Sequence, residues 1–275
     1  MPIDAHCHLR DLIKRSPNAE EERRNQGLGC AASAWNLADF VYHEKLSQKA
    51  LQDKGPRIFC CFGVHPQLPA SSEKHSQQVS SSLMVLETLA AENRLHAIGE
   101  TGFDLFDQTF RNTEVLQDQL FAVHLELAVS KELPLVLHVR KAMHKIFAQI
   151  KVLKRLRSVI FHSYPGTLGE GEALLKRGVN AYFSFGNPMV QGRKDSMRSC
   201  AGLPPERLLI ETDAPYQHLP GGLFSHWQDL PAIRGTMARL REAAGHPQQE
   251  IAALESILDS NFYRAYCELE GNPQD

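Results

Sequence analysis

Short apolar runs of strand length alternate along the chain with longer amphipathic segments. Eight such runs occur, at residues 2–9, 29–35, 57–64, 95–99, 133–139, 159–162, 180–185 and 208–211. The alternation is typical of repeated βα units around a parallel sheet. Eight units are the number that closes a TIM barrel. The pattern therefore predicts an α/β fold of the TIM (β/α)8 barrel class, with residues 1–275 forming one domain.

The helical half of the pattern is clearest at residues 114–131. Its apolar side chains follow the three- and four-residue spacing of one helix face. They are Leu116, Leu120, Val123, Leu127 and Ala128. This face is predicted to pack on the barrel wall. Two further helices, at about 230–244 and 247–269, are predicted after the eighth strand, and the polar stretch 69–82 is predicted to be an exposed loop leading into a helix.

Composition narrows the classes of partner and location. The 275 residues are 43% hydrophobic, which suffices for a substantial core, and a net charge of -2 provides no general attraction for nucleic acid or anionic membrane. Any phosphate binding must then be local. The N-terminus lacks the pattern of a secretion signal, no run of 18 apolar residues occurs, and the six cysteines follow no disulfide or zinc spacing. We expect a soluble cytoplasmic protein with reduced thiols, no membrane association and no obligate protein partner.

Several of the predicted strands end in a residue able to bind a metal, carry one near their carboxyl ends or lead directly to one. These residues are His6, His8, Glu100, His138, His162 and Asp213. Barrel enzymes place their active sites at the carboxyl ends of the strands. Since side chains alternate across a strand, His6 and His8 should point to one face and Cys7 to the other. One histidine at a strand end is usually a core residue, but this repeated placement predicts a metal site.

The donor types restrict the metal and suggest roles for two neighbours. Four histidines and two carboxylates suit Zn, Mn, Co or Fe better than an all-oxygen Mg or Ca cage, although Mg is compatible if waters complete its shell. His65, in Gly63-Val64-His65-Pro66, is predicted to contact substrate or support a ligand rather than bind metal. Arg140 is predicted to bind a phosphate oxygen, with a salt bridge at the barrel rim as an equal alternative.

Six motifs carry these residues. They read Asp4-Ala5-His6-Cys7-His8, Gly63-Val64-His65-Pro66, Ile98-Gly99-Glu100-Thr101-Gly102-Phe103-Asp104, Leu137-His138-Val139-Arg140, Phe161-His162-Ser163-Tyr164-Pro165-Gly166 and Glu211-Thr212-Asp213-Ala214-Pro215-Tyr216. In this order, over residues 1 to about 216, they resemble the TatD family of metal-dependent deoxyribonucleases. The resemblance implies an amidohydrolase-type TIM barrel whose members cleave DNA, typically as Mg-dependent exonucleases.

The resemblance also implies roles for the metal-binding residues. His6, His8 and Asp213 would bind a first divalent cation, His138 and His162 a second, and Glu100 would bridge the two. Asp213 would also act as the general base. Two cations (Mg, Mn or Zn) about 3.5 to 4 Å apart can bind an attacking hydroxide and the scissile phosphate together. The substrate would then be DNA ends or oligonucleotides.

The chain departs from the family at three places. Lys141 follows Arg140 where Asp is usual, and Ser163 and Tyr164 replace Cys and Phe. The largest departure is the segment 217–229, which has no lysine or arginine where relatives usually carry a basic loop. Fewer fixed cations should lower the electrostatic part of DNA affinity. Phe224 and Trp227 in this loop could stack on a base, but packing against the barrel top is the favoured interpretation.

Three functions are compared on this basis. The favoured one is a metal-dependent deoxyribonuclease that acts as a 3'-5' exonuclease-like phosphodiesterase. The alternative is hydrolysis of a small ester, amide or aminoacyl ester on the same metal core. A carboxylated lysine would favour that alternative, but Glu100 is the bridging candidate. A non-catalytic binding protein is disfavoured because all six expected ligand positions are filled.

Overall fold

The computed structural model describes residues 2–70 and 74–267. Within them eight parallel strands pair in chain order, from β1 next to β2 through to β7 next to β8. They are β1 (Ile3–Cys7), β2 (Gly29–Ala34), β3 (Ile58–Phe62), β4 (Ala97–Asp104), β5 (Leu135–Arg140), β6 (Val159–Phe161), β7 (Ala181–Phe185) and β8 (Leu208–Ile210). The predicted TIM barrel is confirmed. That residues 1–275 form one domain stays a prediction.

Helices follow the strands and surround the sheet. In chain order they are α1 (Leu9–Arg15), α2 (Ala19–Asn25), α3 (Leu37–Gln52), α4 (Lys74–Ala91), α5 (Gln108–Arg111), α6 (Glu114–Ser130), α7 (Met143–Ala148), α8 (Ile150–Leu153), α9 (Leu168–Lys176), α10 (Asn187–Val190), α11 (Lys194–Gly202), α12 (Leu230–Ala243) and α13 (Gln248–Tyr266). In the part of the chain that the structure describes, no helix has the length and apolar character needed to cross a membrane.

A buried side chain helps to close the barrel between β1 and β8. The Asp4 carboxylate accepts hydrogen bonds from the Thr212 backbone N–H (3.0 Å) and hydroxyl (2.5 Å). Just above, the Asp213 N–H donates to the His6 carbonyl (3.0 Å) and the His8 N–H to the Ala214 carbonyl (2.7 Å). These bonds fix the ends of β1 and β8 next to each other, so the residues that follow both strands share one region.

The lower half of the barrel lumen is apolar and closed. Its strand residues include Ile3, Ala31, Phe59, Val136 and Leu209, and α13 covers them with Phe262, Ala265 and Tyr266. The Tyr266 hydroxyl donates to the Ala5 carbonyl (2.8 Å), which holds the helix against β1. Because α13 seals the end where the strands begin, the lumen opens at their carboxyl ends.

Two β-bulges direct the polar residues of β1 and β4 into the lumen. Between Asp4 and Cys7, β1 advances three residues while β2 advances two, from Cys30 to Ala32. A comparable register shift lies in β4 between Ile98 and Thr101. An extra residue reverses the in–out alternation of a strand. Both Ala5 and its neighbour His6 therefore face the lumen. In the same way, both Ala97 and Glu100, three residues apart, face it.

The structure corrects two boundaries of the sequence prediction. β4 does not end at residue 99 but continues to Asp104, because residues 101–104 pair with 137–140 of β5. Most of the polar stretch 69–82 belongs to α4, which begins at Lys74. The boundaries of α6, α12 and α13 agree with the prediction within the described residues, and Cys7, Cys30, Cys60, Cys61 and Cys200 are buried as expected.

The buried face of α6 is rotated from the predicted one. Leu120 and Ala128 are buried as expected, whereas the other predicted positions are only partly so. Two polar side chains account for the rotation. Gln117 accepts a hydrogen bond from the Asp104 backbone N–H (2.9 Å), and His124 accepts one from that of Val64 (2.9 Å). Buried backbone groups need partners, so both polar residues turn inward.

A substitution at Gly63 tests how tightly the end of β3 packs against the bulge of β4. A Cβ at Gly63 would lie 2.6 Å from the Glu100 carbonyl oxygen, whereas one at Gly169, an exposed position of α9, meets nothing within 4 Å. We expect Gly63→Ala to lower the unfolding free energy by about 1–3 kcal/mol. Gly169→Ala should leave it unchanged or raise it by up to about 1 kcal/mol. Thermal or denaturant unfolding measures both, and equal stabilities would contradict the packing described.

Candidate metal centre and active site

The six predicted metal-binding side chains and His65 converge at the carboxyl ends of the strands, around Glu100. The Glu100 carboxylate is buried, and its two oxygens face different histidines. Oε2 lies 3.4 Å from Nε2 of both His6 and His8. Oε1 lies 2.9 Å from His162 Nε2, 3.1 Å from His138 Nδ1 and 3.4 Å from His65 Nε2. One carboxylate therefore separates two sets of nitrogen donors.

Asp213 lies on the Oε2 side of Glu100. Its Oδ1 is 3.5 Å from His8 Nε2 and 3.6 Å from His6 Nε2. The residue has a positive φ of 51°, an uncommon backbone conformation for a residue other than glycine. The turn after β8 thus directs the carboxylate back over the lumen, next to the residues that follow β1.

The donor set fits divalent cations. Among the described residues, three groups have ligand atoms close enough to share an ion: His6, His8 and Glu100; His6, His162 and Asp213; and His65, Glu100 and His138. Within the same residues the buried Nε2 of His6 has no hydrogen-bond partner. A buried nitrogen of this kind requires a partner, and imidazole with carboxylate is a common ligand combination for transition-metal ions.

Two carboxylates behind the histidines set the histidine tautomers. Asp104 Oδ2 lies 3.1 Å from His138 Nε2, and Glu211 Oε1 lies 3.2 Å from His162 Nδ1. An ionised carboxylate only accepts hydrogen bonds, so each contacted ring nitrogen carries the proton. The other nitrogen of each ring faces Glu100 and is the one that would bind a cation once the proton it shares with that carboxylate is displaced. Such carboxylate–histidine pairs fix and strengthen metal ligands.

Sequence reasoning did not assign a role to Asp104 or Glu211. A signal existed for Asp104, because it stands four positions after Glu100 and therefore on the same face of β4. The premature end predicted for that strand hid this relation. Glu211 stands two positions before Asp213 and has the same parity. Its contacts with His162 and with the Ser163 backbone N–H (2.7 Å) depend on the approach of β6 to β8.

The charges of the site stabilise one another. Burial alone would raise the pKa of Glu100, but the surrounding histidines, His162 foremost, hold it well below its ordinary value. Burial lowers the pKa of His8, but the hydrogen bonds that its ring donates to Asp213 and Glu100 outweigh that effect and raise the pKa to about 10. The pKa of His162 is likewise raised, against burial, by Glu100 and Glu211. The pKa of His65 is lowered, first by burial.

A cavity of about 810 Å³ lies above these residues. Arg140 lines it, with its guanidinium 3.4 Å from Asp104 Oδ2 and 4.1 Å from the centre of the Phe106 ring. The rim salt bridge is therefore present, and the side chain still borders the cavity. Exposed Arg193, after α10, lines another part of the wall. Positive charge thus reaches the cavity from the end of β5 and from the loop after α10, outside the segment 217–229.

The two ends of the segment 217–229 pack against the rest of the protein, while residues 220–223 between them are exposed. Trp227 is 1% exposed, and its indole N–H donates to the Ala19 carbonyl (2.9 Å). Asn187 donates to the Gln217 carbonyl and to the Asp229 carboxylate, both at 2.8 Å. The favoured packing role of Trp227 is confirmed. Phe224, partly buried, packs against the same core.

Comparison with known proteins decides the family. A family model described as TatD related DNase matches residues 3–267. The chain belongs to the TatD family. The metal-dependent hydrolase YjjV of Escherichia coli K12 is 29% identical over 271 residues, which cover 94% of this chain and 96% of the relative. The 3'-5' ssDNA/RNA exonuclease TatD of Citrobacter koseri is 30% identical over 238 residues, which cover 83% and 86%.

A solved structure supports the fold. The crystal structure of Escherichia coli YjjV superposes with a TM-score of 0.79 and 23% identity, over 96% of this chain and 97% of that one. The family assignment, the barrel and the clustered donors together make the chain a TatD-type metal-dependent hydrolase.

Proposed function

We propose that this TatD-type hydrolase is a nuclease that removes nucleotides from the 3' end of single-stranded DNA or RNA, using two divalent cations. The division of the Glu100 carboxylate between two sets of histidines carries the proposal. The family description and the names of its relatives, among them a 3'-5' ssDNA/RNA exonuclease, support the substrate class. The ion would be Mg, Mn or Zn.

The contacts support one ligand assignment. His6, His8 and Asp213, grouped around Glu100 Oε2, would hold one cation. His138 Nδ1 and His162 Nε2, grouped around Glu100 Oε1, would hold the other. Glu100 would bridge them. Cations bound there would polarise the scissile phosphate and lower the pKa of an attacking water.

Two side chains would act on the substrate directly. Asp213 is ionised, because hydrogen bonding to His8 and the histidine charges lower its pKa against the effect of burial. It would accept a proton from the water that attacks phosphorus. The bond from phosphorus to the 3' oxygen would break, and that oxygen would take up a proton to become a 3' hydroxyl. Arg140, which Asp104 and Phe106 hold at the cavity wall, would bind a non-bridging phosphate oxygen.

The cavity also favours a phosphoester over a neutral ester or amide. Arg140 and Arg193 line it, and Lys141 lies 4.7 Å from the Phe106 ring centre beside Arg140. Concentrated cations of this kind attract a polyanion even when the net charge of the chain is slightly negative. They supply part of the charge that the segment 217–229 lacks.

Replacing the bridging carboxylate should abolish cleavage. We expect Glu100→Gln to lower the rate on a 3'-labelled single-stranded oligonucleotide by at least about 100-fold with Mg or Mn, and to lower bound metal measured by mass spectrometry. Glu87→Gln, the same change on the exposed face of α4, is the control. Metal-dependent turnover of carboxylic esters or amides faster than DNA would contradict the proposed substrate.

Metal loading should release protons. His8, with a pKa of about 10, is protonated at neutral pH in the metal-free protein and must lose its proton to bind a cation. We expect about one proton or more released per cation at pH 7, measured by titration calorimetry in buffers of different ionisation enthalpy. The release should decrease as the pH rises through 10. A binding enthalpy independent of buffer would contradict the displacement of a proton from His8 by the cation.

A further inference from the structure

His65 differs from the other histidines of the site in the group that contacts its second ring nitrogen, the one that does not face Glu100. Its Nε2 faces Glu100 Oε1 at 3.4 Å, and its ring lies 4.5 Å from that of His138. By distance alone it belongs to a possible ligand group with these two residues. Its Nδ1, however, accepts a hydrogen bond from the Gln67 backbone N–H at 3.2 Å.

This hydrogen bond determines where the ring proton lies. A backbone N–H can only donate, so Nδ1 of His65 must present its lone pair to it. A neutral imidazole has one N–H, which is then on Nε2. An Nε2 that carries a proton has no free lone pair for a cation. His65 is therefore held in the tautomer that cannot bind a cation through Nε2.

His138 and His162 show the opposite arrangement. The far nitrogen of each contacts a carboxylate, Asp104 at 3.1 Å and Glu211 at 3.2 Å. An acceptor behind the ring keeps a proton on that side, so the inward nitrogen is the one that would lose its proton and bind a metal. A donor behind the ring, as at His65, does the reverse.

Gln67 links the two arrangements. Its backbone N–H holds Nδ1 of His65, while its side-chain amide donates to Asp104 Oδ2 (2.7 Å), the same oxygen that contacts His138. The turn after β3 thus fixes both histidine tautomers at once. His65 is also the most accessible histidine around Glu100, with 23% of its side chain exposed against 13% or less for the others.

We propose that His65 is a substrate-binding hydrogen-bond donor that presents Nε2–H to an oxygen of the scissile phosphate, and that it is not a metal ligand. This inference rests on the proposed nuclease function for the identity of the substrate. The tautomer does not depend on that function. A fixed donor aimed at an oxygen that gains charge during reaction lowers the barrier without moving a proton.

The first test needs no variant. A long-range 1H–15N spectrum of histidine-labelled protein, metal-free and with Zn²⁺, reports which nitrogen of each ring carries a proton. We expect His65 to be protonated at Nε2 and unprotonated at Nδ1 in both samples. A His65 with its proton on Nδ1, or with Nε2 bound to Zn²⁺, would overturn the proposal.

Two variants separate donor from ligand. His65→Gln keeps an N–H near the position of Nε2, whereas His65→Leu removes it at similar size. We expect both to bind as much Zn²⁺ or Mn²⁺ as the wild type, while His138→Gln binds less. We expect His65→Leu to lose about 100-fold in kcat/KM on single-stranded DNA, and His65→Gln about tenfold or less. Loss of metal in both His65 variants, or equal loss of activity, would overturn the donor role.

Inorganic phosphate provides a readout independent of nuclease activity. We expect metal-loaded His65→Leu protein to bind phosphate at least about tenfold more weakly than metal-loaded His65→Gln protein. If the wild type cleaves no oligonucleotide, the nuclease function fails by itself, while the tautomer and the phosphate affinities still test His65. Equal phosphate affinities in the two variants would count against the donor role.

Discussion

The site depends on the contacts between the buried Glu100 carboxylate and the histidines around it. A carboxylate removed from water is stable only where charge and hydrogen bonds compensate it. Here histidines from β1, β5 and β6 contact it, and Asp213 closes over them. Without cations, the carboxylates hold protons on His8 and His162, as their raised pKa values show. Cations would replace those protons, so the same geometry serves both states.

The alternation of side chains along a strand made much of this site predictable. On β5 and β6 the histidine follows a lumen residue two positions earlier, Val136 before His138 and Ile160 before His162. A regular strand therefore places each of them at the open end of the lumen. On β1 and β4 a bulge supplies the placement. Residue type and family resemblance identified His6 and Glu100, but the bulges depend on pairing with β2 and β5 and could not be predicted from one strand.

The residues that sequence reasoning missed act through partners distant in the chain. Asp104 supports His138 only because β4 continues beyond its bulge, and Gln117 turns inward on α6 to bind the backbone of Asp104. The lack of lysine and arginine in the segment after Tyr216 could be read directly from the sequence. The positive charge of Arg193 at the cavity wall was invisible, because a different loop brings it there. The side of a strand that a residue faces can be predicted from the neighbouring sequence. Contacts between distant segments exist only once the barrel has closed.

Anomalous diffraction from crystals soaked in Mn²⁺ tests the central claim most directly. The account predicts two anomalous peaks, one on each side of the Glu100 carboxylate. One should contact His6, His8 and Asp213, and the other His138 and His162, with His65 bound to neither ion. A single peak, or peaks that leave Glu100 outside their coordination, would contradict the division of this carboxylate between two cations.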